Sequence, residues 1–160
     1  MLLVVDTNVL FTSFWKNSIF HALLKTKQFT LTAPVYALEE LSKYREEIKA
    51  RAKISEAEFK CNLERLKESI TFIEEKEYLP YFSEVKKSII GFAEREREEM
   101  LLDIDFLALA LTKNCPLWSN DKALKRLSSM RNLACSRTGF LTKQKAIIIL
   151  TTEDVIKLIG

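Results

Sequence analysis

The stretch VVDTNVLFTSF, residues 4–14, sets an aspartate directly after the apolar run LLVV. A carboxylate left unpaired away from water is costly, so acids avoid such runs. LLVV is apolar on both faces of an extended chain, as in a strand of a parallel sheet covered on both sides. Asp6 therefore marks the carboxyl end of a strand, and TNVLFTSF starts a helix that Thr7 or Asn8 can cap. A strand feeding a helix through an acid predicts an α/β protein. It also puts Asp6 on the sheet edge where ligands bind in such folds.

The rest of the chain repeats the alternation. NSIFHALLK (17–25) has helical apolar spacing, with Asn17 or Ser18 as a cap, and FTLTA (29–33) reads as a strand. Pro34 suits the first helical position of VYALEELSKYREEIKARAK. SEAEF (55–59) has the capping-box form and opens a helix to about Ser69, followed by the strand ITFI (70–73). After Pro80, YFSEVKKSIIGFAEREREEML reads as helix, with its charged run a solvated surface. DIDFLALALTKN is an apolar helix with acids only at its front. Pro116 then leads into the strand LWS, the helix NDKALKRLSSM, the late strand KAIIIL (145–150) and a last helix in TTEDVIKLI. No Asn-Gly hairpin signal, repeat or linker interrupts the pattern. The expectation is one domain over residues 1–160, with a central, mostly parallel sheet between helical layers in a three-layer α/β/α sandwich.

The 160 residues are 48% apolar and 29% charged, a globular balance with enough chain for one core. The longest apolar runs fall well short of the ~20 residues of a membrane span, and Asp6 cuts MLLVV too short for a signal sequence. Cys61, Cys115 and Cys135 form no CxxC pair, so no zinc site or disulfide framework is expected. Reduced thiols and a cytoplasmic location follow as expectations. The single histidine, His21, reads as a helix residue; a His-based zinc centre or a Ser-His-Asp triad would rest on it alone. The net charge of +3 is unevenly spread. Lys122 to Thr152 holds no acid but carries Lys122, Lys125, Arg126, Arg131, Arg137, Lys143 and Lys145. Gathered on one face these would attract a polyanion; scattered, they are ordinary solvated residues.

Four acids end or begin elements. Asp6 follows LLVV and Asp121 follows LWSN, so both fall on the same sheet edge. Asp103 begins the apolar helix, and Glu40 lies in the helix after FTLTA. Asp103 and Asp121 also read as helix caps, and Glu39 and Glu40 as surface helix residues. If the acids converge, their repulsion raises their pKa values and destabilises the fold. Such a cluster signals a bound cation, and oxygen-only ligands suit Mg²⁺ or Mn²⁺.

VVDTNVL, ALEEL, DIDFLALAL and LWSNDKAL, in that order, resemble the PIN-domain nucleases, a family that includes the VapC-type toxins of prokaryotic toxin–antitoxin pairs. The resemblance runs from Met1 to about Leu127, and IIILTTEDVIKLI looks like the family's last strand and helix. It implies a Mg²⁺- or Mn²⁺-dependent endoribonuclease acting on single-stranded RNA. Asp6, Glu40, Asp103 and Asp121 are then the catalytic acids, with Asp6, Asp103 and Asp121 holding the metal. Asn8, Asp105 and Ser119 take auxiliary places. Asp105 rivals Asp103, and Glu39 rivals Glu40. Lys122, Lys125 and Arg126 would hold the RNA backbone. Implied partners are RNA, an antitoxin that inserts a peptide into the acidic groove, and a second copy of the chain, with Phe11, Phe14 and Trp15 read as a dimer face or as core. The alternative is a catalytically weak or inactive module of the same fold that binds RNA or docks a protein.

Overall fold

LLVV forms the middle strand of the sheet. The computed structural model describes residues 1–128 and 147–159. In chain order the elements are β1 (Leu2–Val5), α1 (Thr7–Phe11), a 3-10 turn (Thr12–Phe14), α2 (Ile19–Lys25), β2 (Thr30–Pro34), α3 (Tyr36–Lys43), α4 (Arg45–Ala52) and α5 (Glu56–Ser69). They continue as β3 (Ile70–Ile73), α6 (Glu75–Tyr78), a second 3-10 turn (Leu79–Tyr81), α7 (Phe82–Ser88), α8 (Glu94–Leu102), α9 (Ile104–Lys113) and β4 (Leu117–Trp118). A helix over residues 122–128, α10, is followed by β5 (Ile149–Leu150) and α11 (Thr152–Lys157). The calls on Arg131, Arg137, Lys143, Lys145, Cys135 and the start of the late strand lie outside the described residues.

All described strand pairs are parallel, in the order β3-β2-β1-β4-β5. The chain winds from β1 outward to β3, then crosses back to β4 and β5. Right-handed crossovers therefore send α1–α5 to one face and α6–α10 to the other, which makes three layers. The order reverses between β1 and β4, and the carboxyl ends of those two strands form the switch point where open α/β sheets bind ligands.

The core explains why α9 has no polar face. Phe106 to Leu111 are six consecutive buried residues. The helix packs on β1, β2 and β4 from one side and against α6 and α7 from the other. A helix that is apolar all round belongs in such a place. Its C-terminus is capped by Asn114 in the left-handed conformation, φ 51°, a position Asn tolerates better than most residues. Leu107→Ala is expected to cost about 2–5 kcal/mol, read from the urea midpoint; a shift below about 1 kcal/mol would place this helix outside the core. Among the described residues, no helix is long and apolar enough to cross a membrane.

Several local expectations need correction. Asp6, not Thr7 or Asn8, occupies the N-cap of α1, and its side chain accepts from the Asn8 N–H. Pro34 ends β2 opposite Ile73 instead of opening a helix. The residue before a proline favours extended backbone, so Ala33 stays in the strand. The long stretch after Pro34 splits at Tyr44, where ion pairs of Arg45 and Lys49 with Glu56 hold α4 to α5. The stretch after Pro80 splits between Ser88 and Glu94, around Gly91, with Ile89 buried and Ile90 exposed. Phe14 belongs to the core, stacked on Phe59 at 4.9 Å. Phe11 is half-buried with its edge on Tyr44, and Trp15 is half-buried. The Ser55–Glu58 capping box forms as read.

Candidate active site

The parallel register sets Val5 opposite Trp118, so the residues that follow, Asp6 and Ser119, are neighbours. The Asp6 N–H donates to the Trp118 carbonyl at 3.1 Å. Ser119, fully buried, donates its hydroxyl to Asp6 Oδ2 at 2.6 Å. The same hydroxyl accepts the Asp121 N–H at 3.0 Å. Ser119 thus ties the acid after β1 to the backbone of the acid after β4. The turn is braced by α11, because Trp118 Nε1 and Asn120 Nδ2 both donate to Thr152 Oγ1.

Asp6 is 2% exposed. Burial pushes its carboxyl above the usual range; the bonds from Ser119 and the Asn8 backbone pull it back, and Asp121 pushes it further up. Asn8 itself is exposed, and it is its backbone N–H that meets Asp6, at 3.4 Å. Glu40 reaches the cluster through Thr7, whose hydroxyl donates to Glu40 Oε2. Burial raises the Glu40 carboxyl, the Thr7 bond lowers it, Asp6 raises it, Lys43 lowers it and Asp105 raises it. Glu39, the rival position on α3, is exposed.

Asp103 sits in the joint between α8 and α9, and its side chain makes no cap hydrogen bond. Its carboxyl is pushed up to about 7 by burial and by the charges of Asp6, Asp121 and Glu40. Asp121 does cap a helix. Its Oδ1 accepts from the Ala123 and Leu124 N–H groups at 2.7 and 3.1 Å, so the cap reading of this residue describes a real contact. Asp105, in the first turn of α9, accepts the Tyr78 hydroxyl at 2.9 Å. The five acids come from four chain segments and meet at the switch point, electrostatically coupled but differently held.

Two partners were not read from the sequence. Thr7 and Tyr78 each hold an acid, across 33 and 27 residues of chain. Tyr78 is buried, and its phenol is pushed up by burial and by the Asp105 bond. Tyr36, on the first turn of α3, stands at the rim; burial, Glu40, Asp105 and Glu39 raise its phenol in that order. The basic residues flank the other side. Lys122 is exposed at the start of α10. Lys125 pairs with Asp154 at 4.0 Å and Arg126 with Glu96. His21 lies away from the acids on α2, edge-on to Phe20.

The donor set fits a hard divalent cation in kind: oxygen only, mutually repelling, and partly desolvated. It does not form an enclosed cage. Among the described residues, no three His, Cys, Asp or Glu side chains stand close enough to surround a metal ion.

A family model described as PIN domain matches residues 4–136. Among solved structures, the chain is similar to the crystal structure of VapBC2 from Rickettsia felis bound to a DNA fragment from their promoter. The match has a TM-score of 0.58 at 13% identity, over 94% of this chain and 98% of that one. At that identity the likeness speaks for the fold. No curated protein matches the chain.

Proposed function

The chain belongs to the PIN-domain family, and from that premise we propose that it is a metal-dependent endoribonuclease cleaving single-stranded RNA. The observation that carries this reading is the gathering of Asp6, Glu40, Asp103 and Asp121 at the β1–β4 switch point. Asp6, Asp103 and Asp121 would hold Mg²⁺ or Mn²⁺, in part through waters. When bound, the cation supplies a water of lowered pKa and relieves charge on the phosphate oxygens.

The chain's own residues do the positioning. Ser119 donates to Asp6 and aims it, offsetting part of the rise that burial imposes on that carboxyl, and Thr7 does the same for Glu40. Glu40, partly open to solvent, orients the attacking water. Asn8 lends its backbone N–H to Asp6, and Asp105, fixed by Tyr78, adds a further negative group at the edge. Lys122, Lys125 and Arg126 lie just beyond Asp121 and grip the strand's phosphates without reading bases. Lys125 and Arg126 also pair with Asp154 and Glu96 near the surface, and exposed pairs of this kind contribute only about 0–1 kcal/mol.

The likeness in fold to VapBC2 supports the further proposal that the chain is the toxin of a toxin–antitoxin pair in the cytoplasm. The antitoxin would insert a peptide with an arginine onto the carboxylates. The proposal keeps residues 1–160 as one domain, and a homodimer through Phe11 and Trp15, with Phe14 assigned to the core.

The test is cleavage of labelled single-stranded and structured RNA by the purified protein with Mg²⁺, Mn²⁺ or EDTA. Cutting of the single strand with either metal, and none in EDTA, is expected. Full activity in EDTA would overturn the metal reading. Binding without cutting under every metal would favour the inactive module, a reading for which the lack of an enclosed metal cage speaks.

A further inference from the structure

The face of α3 that meets the acids carries more than Glu40. Tyr36, Glu40, Lys43 and Tyr44 follow at i, i+4, i+7 and i+8, so they share one side of the helix. Ala37 and Leu41, about a quarter turn further round the helix, are buried in the core. Tyr36 and Tyr44 are 38% and 37% exposed, large rings left open beside a charged site. Tyr44 is held from both directions. Phe11 meets its ring edge-on at 5.8 Å, and the Lys43 ammonium sits 5.2 Å from its centroid. Eight residues of helix separate the two tyrosines by about 12 Å, with Glu40 between them and bonded to Thr7 beside Asp6.

The two flanks of the acidic edge therefore offer a polyanion different things. On the α10 flank, Lys122, Lys125 and Arg126 attract phosphates. On the α3 flank, the charges that act on Glu40 among the described residues are those of Asp6, Lys43 and Asp105, a net negative set that cannot itself hold a phosphodiester chain. Stacking can, because every base has a π-face and the contact does not depend on net charge. Only unpaired bases can present that face; a duplex keeps its bases stacked inside.

We propose that Tyr36 and Tyr44 form a stacking track for unpaired bases, which holds single-stranded RNA on the α3 side of the acidic edge. The proposal rests on the nuclease reading and deepens it. The strand is gripped by its backbone on α10, crosses the acids, and is gripped by its bases on α3. The preference for single strands then comes from this second grip.

Steady-state cleavage of a labelled oligoribonucleotide in Mg²⁺ tests it, with wild type, Tyr36→Ala, Tyr44→Ala, and the Phe variant at each position. Each Ala variant should raise KM roughly 5- to 100-fold and leave kcat nearly unchanged, while each Phe variant should match wild type. An oligonucleotide with abasic sites flanking the cut should be bound alike by wild type and Ala variants. The salt dependence of KM should keep its slope in the Ala variants, because no phosphate contact is lost. Wild-type KM in both Ala variants, with cleavage intact, would overturn the track alone. A fall in kcat with KM unchanged would do the same. If wild type cuts no RNA under any metal, the nuclease reading falls and the track falls with it.

Discussion

Asp103→Asn is expected to cut RNA at least roughly 100-fold more slowly than wild type, and to unfold at a higher temperature than wild type in EDTA. The loss of activity follows from replacing a carboxylate of the proposed metal cluster by an amide, a poor ligand for a hard cation; even indirect partners of a metal site cost 10–100-fold when changed. The gain in stability follows from linkage. The folded protein holds the Asp103 proton up to about pH 7, whereas the ordinary value is 3.8. Between those values the folded state binds more protons than the unfolded state, so stability falls as pH rises. The contribution is present in full below the ordinary value and is lost through about pH 7. Its size is on the order of 2–4 kcal/mol. Asp6 and Glu40 are raised as well and act in the same direction. Removing the charge at Asp103 should therefore flatten the decline of Tm between about pH 4 and pH 7, and raise Tm at pH 8 by about 5–10 °C. Added Mg²⁺ should stabilise wild type more than the variant, because a ligand stabilises only the state that binds it. A variant with lower Tm than wild type in EDTA would show that Asp103 is held by favourable contacts and not by a strained cluster.

The sheet and the acids at its edge were legible because local chemistry writes them. LLVV is too apolar for anything but a strand buried on both faces, and the acid behind it has to sit at an edge. The apolar FLALAL could only be a helix with no solvent face, and the α9 packing bears that out. The breaks were hidden. Nothing in SKYREE marks a helix end, and α4 turns away at Tyr44 to meet Glu56, a contact that only the tertiary fold creates. Pro34 was ambiguous for a physical reason: a residue without an N–H fits a helix start and a strand end equally well. The supports of the acids were illegible for the same reason as the breaks. Thr7 and Glu40 bond across 33 residues, Tyr78 and Asp105 across 27, and no periodicity connects them. Thr7 sits beside Asp6 in the DTN triplet, and that adjacency was the one available hint. The choice between neighbouring acids is likewise tertiary. The register of α3 turns Glu40 toward Thr7 and leaves Glu39 in solvent.

Asp121 is both a cap and a member of the acid cluster, and two substitutions at this one position should separate the roles. Its Oδ1 accepts the Ala123 and Leu124 N–H groups at the start of α10. Asn caps about as well as Asp, and Ala does not. Asp121→Asn should therefore keep the cap and remove the charge. Catalysis should fall by orders of magnitude, while metal-free stability holds or rises, because Asp121 repels both Asp103 and Asp6. The Asp103 carboxyl, followed by NMR in EDTA, should titrate below about 7 in this variant. Asp121→Ala should lose activity to the same extent and also lose the cap, so that it is less stable than the Asn variant by about 0.5–2 kcal/mol. The difference between Asn and Ala then measures the cap, and the difference between wild type and Asn measures the charge. A wild-type rate in Asp121→Asn, with the Asp103 titration unmoved, would reduce Asp121 to a helix cap and leave the cluster to Asp6, Glu40 and Asp103.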